Sequence, residues 1–317
     1  MGEVLYVGSC SGIVYALDRR EGRPRWTFDV RPGGRATSFH GDPAVTESLL
    51  VIGTDGGDAD TTFGAIWALE LATGRPRWHH AVTNGIVSDI CRSAGRILAV
   101  TRADELLCLE LATGRLVWSF SSGASAGAFA YRSPAVAGTR VFFGGSDGVV
   151  YAFDLDSGRP LWKRGMGSAI STGILAVGQE LYLAIEDGRV VRLSQATGEV
   201  EAEHPVGSIF TGPPVAVGDS LVVMAGQRSV ACVERRTARV VWRQALSAPI
   251  SSPRPYLWED HIIAGTERGE LFAFRARDGL PRWSHHFEGV IRGIGCTDRV
   301  LYVGTYKGLV YAYRRPR

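Results

Sequence analysis

The sequence from Val141 to Trp162 reads VFFGGSDGVVYAFDLDSGRPLW, and the same pattern repeats along the chain. It returns from Leu5 to Trp26 as LYVGSCSGIVYALDRREGRPRW and from Ile262 to Trp283 as IIAGTERGELFAFRARDGLPRW. Weaker copies begin at Leu50, Leu98, Leu181 and Leu221, and a last copy from Leu301 ends before its tryptophan. Self-similarity of this kind is typical of repeat architectures.

The tryptophans give the period of the repeat. The column consists of Trp26, Trp78, Trp118, Trp162, Trp242 and Trp283, with Ala202 in the place of one further tryptophan. The steps between these positions are 52, 40, 44, 40, 40 and 41 residues, and an insertion from Asp55 to Phe63 accounts for the long first step. A period of about 40–45 residues with four strands per repeat is typical of β-propellers.

One copy predicts the strands of a single blade. We expect short strands at Ser133 to Ala137, Val141 to Gly145, Val149 to Asp154 and around Leu161 to Arg164, with Ser-Asp-Gly and Asp-Ser-Gly turns between them. No segment has a sustained helical period. The sequence therefore predicts an all-β fold, a single β-propeller domain over residues 1–317 with four-stranded antiparallel blades. Counting strands from the repeats predicts eight blades with incomplete first and last blades, and seven blades as the alternative.

The six tryptophans of the column are predicted to pack between neighbouring blades. Burying one such ring removes about 150–250 Å² from water, which is a large contribution for one side chain. Ala202 should mark a weaker contact between two blades. Trp67 and Trp258 lie outside the column, and we expect the loss of Trp258 to cost less stability than the loss of Trp162.

The end of each repeat has the form A-x-D-x-x-x-G-x-x-x-W. One copy carries Ala16, Asp18, Gly22 and Trp26, and another carries Ala152, Asp154, Gly158 and Trp162. This pattern resembles the tryptophan-docking motif of the pyrroloquinoline quinone (PQQ)-like β-propeller repeat family. The resemblance implies one of three functions: a quinoprotein dehydrogenase, a protein-binding component of the bacterial outer-membrane assembly machine, or a sensor domain attached to bacterial Ser/Thr kinases. Fold alone does not choose among them.

The cysteines argue against the dehydrogenase branch. Those enzymes hold the quinone under a disulfide between two adjacent cysteines, whereas the cysteines of this chain are all far apart: Cys10, Cys91, Cys108, Cys232 and Cys296. We therefore predict a non-catalytic binding or scaffold module, which acts in protein–protein interaction or ligand sensing, with no catalytic residue, no bound metal and no cofactor. The alternatives are an enzyme that uses PQQ with Ca²⁺ or another chemistry at the channel mouth, and a sensor domain separated from a kinase.

A candidate binding site follows from the segments before each first strand, here called the lead-ins. They vary between repeats while the hairpins stay regular, and a rigid scaffold that presents varied loops is a common way to build a site. In a ring they should face one opening, with these residues forming a mixed-charge cluster: His40, Asp42, Asp89, Arg92, Tyr131, Arg132 and Arg292. The cluster predicts a protein or peptide partner, or a small anionic ligand held by arginine forks.

Composition limits the other classes of function. The formal net charge of +3 is too close to balance for nucleic acid as the main partner, and no 18-residue apolar run exists that would insert into a membrane. The sequence up to Cys10 already has the pattern of a strand and lacks the features of a secretory signal. We therefore expect a cytoplasmic protein, or a fragment of a larger one.

Overall fold

The computed structural model describes residues 3–31, 38–56, 63–123, 132–170, 172–207, 212–219, 221–252 and 254–314. Regular structure in these ranges consists of β-strands, and none of them holds a helix that could cross a membrane. The chain divides into two compact units. The first comprises Met1–Phe129, Gly138–Val141 and Phe153–Pro160, and the second comprises Ala130–Ala137, Phe142–Ala152 and Leu161–Arg317. The prediction of one domain over residues 1–317 stays a prediction.

The strands form separate antiparallel sheets, each made of strands adjacent in sequence. The first sheet has three strands, β1 (Val4–Gly8), β2 (Ile13–Asp18) and β3 (Pro24–Asp29). The second has four strands, β4 (Ala44–Val45), β5 (Leu49–Asp55), β6 (Phe63–Glu70) and β7 (Pro76–Thr83). The third consists of β8 (Cys91–Ser93), β9 (Arg96–Val100), β10 (Glu105–Glu110) and β11 (Leu116–Ser121).

The remaining sheets follow the same order. The fourth consists of β12 (Ala135–Ala137), β13 (Arg140–Gly144), β14 (Val149–Asp154) and β15 (Pro160–Gly165). The fifth holds β16 (Leu175–Val177), β17 (Glu180–Ala184), β18 (Arg189–Ser194) and β19 (Val200–Pro205). The sixth holds β20 (Val215–Val217), β21 (Leu221–Ala225), β22 (Ser229–Glu234) and β23 (Val240–Ala245). The seventh holds β24 (Tyr256–Trp258), β25 (His261–Gly265), β26 (Glu270–Arg275) and β27 (Pro281–His286), and the last has three strands, β28 (Ile291–Cys296), β29 (Val300–Thr305) and β30 (Val310–Arg314).

The prediction of eight blades with incomplete first and last blades is wrong, and the alternative of seven four-stranded blades is the better description. Among the described residues, six sheets have four strands, and the first and last sheets have three each. The thirty strands are enough for the seven four-stranded blades of the alternative and too few for eight. The error arose because the prediction counted the partial copies at Leu5 and Leu301 as two separate blades, although the described residues of each supply only three strands.

The turn after the third strand is here called the docking turn, and in the first sheet it is built by a carboxylate and a glycine. In the first sheet, Oδ1 of Asp18 accepts hydrogen bonds from the backbone N–H groups of Arg20 (2.8 Å) and Glu21 (3.1 Å). The N–H of Gly22 donates to the carbonyl of Asp18 (2.8 Å), and Gly22 has a φ of 72°. The aspartate and glycine of the repeat motif thus reverse the chain between the third and fourth strands.

The core lies between the faces of neighbouring sheets. Ile66 of β6 belongs to one buried cluster with Ile97 of β9 and Leu107 of β10, and Phe142 of β13 belongs to another with Leu181 of β17. Because the middle strands are covered on both faces, their sequences read as nearly continuous apolar runs, as in LLCLE of β10.

A tryptophan of the fourth strand fastens each of five sheets to the next. Its indole N–H donates to the carbonyl of the residue that directly follows the third strand of the neighbouring sheet. The pairs are Trp26 with Leu71 (2.9 Å), Trp78 with Leu111 (3.0 Å), Trp118 with Leu155 (2.9 Å), Trp162 with Gln195 (3.1 Å) and Trp242 with Ala276 (2.9 Å). The hydrogen bond fixes the ring, and the ring excludes water from the space between the two sheets.

The same docking turn supplies a glycine as the floor under the ring. A Cβ on Gly158 would lie 2.6 Å from Cγ of Trp118, and a Cβ on Gly114 would lie 2.4 Å from Cε3 of Trp78. Gly74, Gly198 and Gly279 make the same close approach to the tryptophans that dock on them. Glycine is required at these positions for two reasons. The φ is positive, and a side chain would occupy the place of the indole.

One interface replaces both the tryptophan and the glycine. Ala202 stands in the place of the tryptophan on β19, and Ala238, with a φ of 57°, stands in the place of the glycine that follows β22. The carbonyl that would receive the indole N–H is that of Arg235. The hydroxyl of Tyr182, on β17, lies 2.9 Å from this oxygen and 2.6 Å from the carboxylate of Glu180, so its one proton is shared between the two acceptors.

Charged groups complete this exceptional interface. Glu180 Oε2 lies 2.6 Å from the Tyr182 hydroxyl and 2.9 Å from Nη2 of Arg235, and Glu180 Oε1 lies 3.0 Å from Nη1 of Arg192. The arginines and the tyrosine hydroxyl outweigh the effect of burial and hold the pKa of Glu180 below its usual range. Where the sequence predicts a weaker contact at Ala202, the structure has a polar network in place of the indole.

Trp258 lies outside the column but docks in the same manner. It ends β24, is 3% exposed, and its indole N–H donates to the carbonyl of Thr297 at 2.8 Å. Its ring also meets the ring of Trp283 edge-on. The structure therefore removes the reason for expecting a smaller cost at this position.

We expect Trp162→Ala and Trp258→Ala to lower the free energy of unfolding by similar amounts, about 3–5 kcal/mol each, because each change empties a packed interface and deletes an indole hydrogen bond. Urea denaturation of the two variants measures both values. A cost at Trp258 below about 1 kcal/mol would contradict the docking described for it.

A second prediction separates the two demands on the docking glycine. Gly158→Ala should cost about 1–2 kcal/mol for the left-handed backbone and about 1–3 kcal/mol more because the new methyl group meets the Trp118 ring. Gly22→Ala is the matched control, since Gly22 has a φ of 72° and, among the described residues, no atom within 4 Å of its added Cβ. Denaturation curves should show a clearly larger loss at Gly158, and equal losses would mean that the ring does not need the glycine.

Candidate functional site

The lead-ins lie beside the ends of the second strands. Isolated β-bridges join Ser38 to Asp55, Ile86 to Thr101, Ile170 to Ile185 and Ile250 to Thr266. Three of these lead-ins thus place an isoleucine at the bridge, and the first places a serine there. The serine faces the only carboxylate among the bridging partners, and this pair is the centre of a polar cluster in the first unit.

Asp55 is fully buried and holds three other side chains together. Its Oδ1 accepts a hydrogen bond from the Ser38 hydroxyl at 2.7 Å. Its Oδ2 lies 3.1 Å from Nδ1 of His40 and 2.9 Å from Nε of Arg102, and Nη2 of Arg102 donates to the same oxygen. The cluster of Ser38, His40, Asp55 and Arg102 is here called the Asp55 network.

The charge of the network centres on the carboxylate. Burial raises the pKa of Asp55, but the hydrogen bonds and charges of His40, Ser38 and Arg102 outweigh burial and hold the pKa well below its usual range. Asp55 is therefore an anion paired with at least one full positive charge. A buried carboxylate whose oxygens are all engaged positions its neighbours, and here it ties the first lead-in to the repeat that follows it.

Asp42 and Asp89 are also brought together. Oδ1 of Asp89 accepts a hydrogen bond from the backbone N–H of Asp42 at 2.8 Å, and the carbonyl of Asp42 accepts one from the N–H of Ile90 at 3.0 Å. A Cβ on Gly41 would lie 1.9 Å from the carbonyl oxygen of Ser88, so the two lead-ins touch backbone to backbone. Arg92 follows on β8 and is exposed.

In the second unit, the two predicted arginines have different surroundings. Arg132 is buried, and its Nη1 donates to the carbonyl of Ile170 at 3.5 Å. Arg292 is exposed, and its guanidinium lies 4.3 Å from the centre of the Tyr306 ring. Arg132 is thus part of the internal packing, whereas Arg292 is accessible to a partner. Tyr131 lies outside the described residues.

The sequence missed the centre of the Asp55 network. It singled out His40, but it named Asp55 only as the first residue of an insertion. Arg102 was not considered. A signal was present, because Ser38 and Asp55 occupy places that are Ile, Thr or another uncharged residue in the other bridged repeats, and a charge at a buried place needs a partner.

The residues present do not fit a quinone site of the dehydrogenase type. The five cysteines form no disulfide, two of them are buried, and no two are adjacent in sequence. Burial raises the pKa of Cys108 and of Cys232 to about 12, so neither is a reactive thiolate at neutral pH.

Among the described residues, one group of potential metal ligands comes together. Glu259, Asp260 and His261 have ligand atoms within 4.8 Å of one another in the turn between β24 and β25. Nδ1 of His261 lies 2.7 Å from Oδ1 of Asp260, and both acidic residues are exposed. An adjacent cavity of about 570 Å³ is lined by Glu259 and Asp260 and also by Arg275, Arg277 and Arg282. The arginines balance the acidic side chains, and we assign no metal centre here.

Comparison with known proteins adds family evidence to this geometry. A family model described as outer membrane protein assembly factor BamB matches residues 1–94, 62–210 and 186–314. The assembly factor BamB of Bordetella pertussis is 29% identical over 197 residues, which cover 60% of this chain and 49% of that protein. The BamB of Xanthomonas campestris pv. campestris is 26% identical over 293 residues, which cover 87% of this chain and 70% of that protein. The chain thus spans about half the length of the first relative and more of the second.

Solved structures agree on the fold. The crystal structure of BamB from Moraxella catarrhalis superposes with a TM-score of 0.81 at 20% identity, over 99% of this chain and 95% of that one. The quinohemoprotein alcohol dehydrogenase ADHIIG from Pseudomonas putida HK5 superposes with a TM-score of 0.75 at 13% identity, over 96% and 68%. Likeness at such identities shows the all-β propeller fold and leaves function open.

The expectation of a cytoplasmic protein is wrong in the light of these relatives. The curated proteins that match are outer membrane protein assembly factors, and the matching family model has the same description. The expectation rested on the absence of a secretory signal from the printed sequence. That absence does not establish where the protein is located.

The Asp55 network predicts a pH-dependent contribution to stability. The folded-state pKa of Asp55 is lowered, and an unfolded aspartate titrates near pH 4, so the stabilisation is complete above about pH 4 and is lost as the pH falls. Asp55→Asn should therefore cost about 3 kcal/mol at pH 7, because it leaves Arg102 without its counter-ion, and the gap from wild type should narrow towards pH 2.

Urea denaturation between pH 2 and pH 7 measures this gap. The matched control is Asp298→Asn, which changes an exposed aspartate in the turn between β28 and β29 and should differ little from wild type throughout. A gap at Asp55 that stays constant over the whole pH range would contradict the ionised state assigned to this carboxylate.

Proposed function

Because the chain belongs to the PQQ-like propeller family described as outer membrane protein assembly factor BamB, we propose that it is a non-catalytic scaffold that binds protein partners in outer-membrane protein assembly. The observation that carries this proposal is the match of the family model, which extends in three overlapping runs over nearly the whole chain. The curated relatives cited above share that description, and the assembly role comes from their names.

The structure supports a scaffold over an enzyme. Its polar clusters are built from internal hydrogen bonds and ion pairs, as in the Asp55 network and at Glu180, and these contacts hold the fold. Neighbouring sheets are locked by repeated indole contacts, which give a rigid support. The lead-ins carry the variation on this support, and they offer exposed charge at Arg92 and Arg292.

We propose that these exposed lead-in arginines contact the partner. Arg92 stands next to a pair of lead-ins held by Asp42 and Asp89, and Arg292 is extended over the Tyr306 ring. Guanidinium groups held in one orientation pair well with carboxylates of a protein partner. A small anionic ligand at the same residues is the alternative. Arg132 is assigned to internal support because it is buried.

The test is deletion of the gene in the organism that encodes it, followed by quantification of the integral outer-membrane proteins in the membrane fraction by mass spectrometry. Deletion should lower their abundance, and the wild-type gene should restore it. The double variant Arg92→Glu/Arg292→Glu should restore less than half of the lost abundance, because like charge repels an acidic partner surface. The matched control Arg115→Glu/Arg299→Glu reverses two exposed arginines away from the lead-ins and should restore it fully.

Each outcome has one meaning. Unchanged outer-membrane proteins after deletion would overturn the assembly role. Full restoration by the lead-in variant would overturn the site and leave the role intact. Purified protein should show no saturable binding of PQQ with Ca²⁺ and no dye-linked oxidation of alcohols or glucose, and turnover in that assay would make the protein a dehydrogenase.

A further inference from the structure

A cavity in the second unit lies at one end of the sixth and seventh sheets. Its volume of about 570 Å³ is within the range of about 300–1,000 Å³ that is typical of ligand pockets. It is lined by the turn between β20 and β21, the turn between β24 and β25, and the docking turn after β26. The lead-in of the seventh sheet meets the other end of β25, where Ile250 bridges to Thr266. The cavity is therefore separate from the lead-ins and their exposed arginines.

One docking turn carries a small residue at this cavity. In four other docking turns, the residue whose carbonyl accepts the indole N–H has a longer side chain, as at Leu71, Leu111, Leu155 and Gln195. In the seventh sheet it is Ala276, which keeps the same hydrogen bond at 2.9 Å. The hydrogen bond needs only the backbone of this residue. The short side chain therefore leaves the docking intact and the space beside it open.

The turn between β24 and β25 places a carboxylate where equivalent turns have glycine. The residue that directly follows β12, β16 and β20 is a glycine with a φ between 57° and 62°, namely Gly138, Gly178 and Gly218. After β24 it is Glu259, which has a φ of 55° and lines the cavity. A residue with a side chain adopts this conformation at a cost that glycine does not have. Asp260 follows it, so that two neighbouring carboxylates line the cavity.

Arg282 brings the opposite charge to the same cavity. In the first two sheets, the arginine just before the fourth-strand tryptophan pairs with the acidic residue that ends the third strand. The pairs are Arg25 with Asp18 (2.6 Å) and Arg77 with Glu70 (3.2 Å). In the seventh sheet the third strand ends at Arg275, which itself pairs with Asp278 at 2.8 Å. Among the described residues, Arg282 forms no ion pair, and its positive charge is not used by the fold.

The charged and apolar groups of the lining define the chemistry of an occupant. A purely anionic ligand would meet the carboxylates of Glu259 and Asp260, and a purely cationic ligand would meet Arg282. A ligand that carries both an ammonium group and a carboxylate can pair with both kinds of charge. Val217 and Leu257 add partly buried apolar surface to the lining. The occupant therefore carries both charges and an apolar side chain.

We propose that this cavity binds a short peptide with free termini, whose ammonium group pairs with Glu259 and whose carboxylate pairs with Arg282. A single amino acid carries the same two groups but would fill little of the 570 Å³. A short peptide also places apolar side chains against Val217 and Leu257. This ligand site is additional to the partner contacts proposed for the lead-ins and does not depend on them.

The probe is the tripeptide leucyl-alanyl-leucine with both termini free, titrated into the purified 317-residue chain by isothermal titration calorimetry. Its binding should be saturable. Acetylation of the amino end or amidation of the carboxyl end should each weaken binding at least about tenfold, because each removes one charged partner. Free leucine has the same two charges and a single side chain, and it should bind at least about tenfold more weakly than the tripeptide.

Three variants separate the site from the fold: Ala276→Leu, Glu259→Gly and Arg282→Ala. The first two introduce residues that other sheets have at the same places, so they should fold as wild type does, which melting curves check. Ala276→Leu should abolish measurable binding because it fills the cavity, and the other two should each weaken binding at least about tenfold. The matched control is Arg77→Ala, which changes the equivalent of Arg282 in the second sheet and should bind as wild type does.

The pairing of each terminus is tested by combining the changes. Amidation should weaken binding to wild type at least about tenfold but should change binding to Arg282→Ala little, because the carboxylate has already lost its partner there. Acetylation should likewise change binding to Glu259→Gly little. Full additive losses in both combinations would overturn the pairing proposed for the two termini.

Three further results would overturn the inference: no saturable binding of the tripeptide, equal affinity of its blocked forms, or undiminished binding by Ala276→Leu. Equal affinity of free leucine would overturn a peptide as the ligand. None of these results affects the deletion phenotype in the outer membrane, since the lead-ins lie at the other end of the sheet. Conversely, terminus-dependent binding together with an unchanged outer membrane would retain the peptide site and overturn the assembly role.

Discussion

The indole of one repeat lies on the glycine of the next repeat, and the rest of the structure depends on this contact. The contact combines the indole N–H donor, the flat apolar ring and a glycine with positive φ. A single tryptophan thereby donates a hydrogen bond to a turn carbonyl and covers the space between two sheets. Trp118 on Gly158 shows all three elements, with Leu155 as the acceptor. A four-stranded sheet has two apolar faces and cannot cover either alone, so the contact between repeats is what makes each repeat stable.

The exception at Ala202 shows which part of the contact is indispensable. The ring is absent and the glycine has become Ala238, yet the carbonyl after the third strand still receives a donor, from the hydroxyl of Tyr182. The cost of a buried carbonyl without a partner explains why this hydrogen bond is retained when the packing is exchanged. The side chains of Glu180 and Arg235 then fill the remaining space, and their opposite charges form an ion pair.

The sequence predicted the features that repeat, and it failed where a feature occurs once. The strand from Val149 to Asp154 was predicted with its observed bounds, because turn glycines and apolar alternation mark it in every copy. The blade number was predicted wrongly, because it depends on how many strands the two incomplete end sheets supply. The Asp55 network joins residues 17 and 47 positions apart, and no periodic signal connects Asp55 to Arg102. Trp258 was undervalued for the same reason, since its acceptor, Thr297, is found only by tertiary contact.

The repeated indole contact also orders the events of folding in time. Trp26 needs an acceptor 45 residues further along the chain, and Trp162 needs one 33 residues further along. During synthesis, a repeat that has left the ribosome therefore has no partner for its tryptophan until the next third strand and its turn have also emerged. The tryptophan of each such repeat can therefore dock only one repeat late. Pausing of translation between repeats would then leave the newest sheet with its indole undocked and the face beside it uncovered.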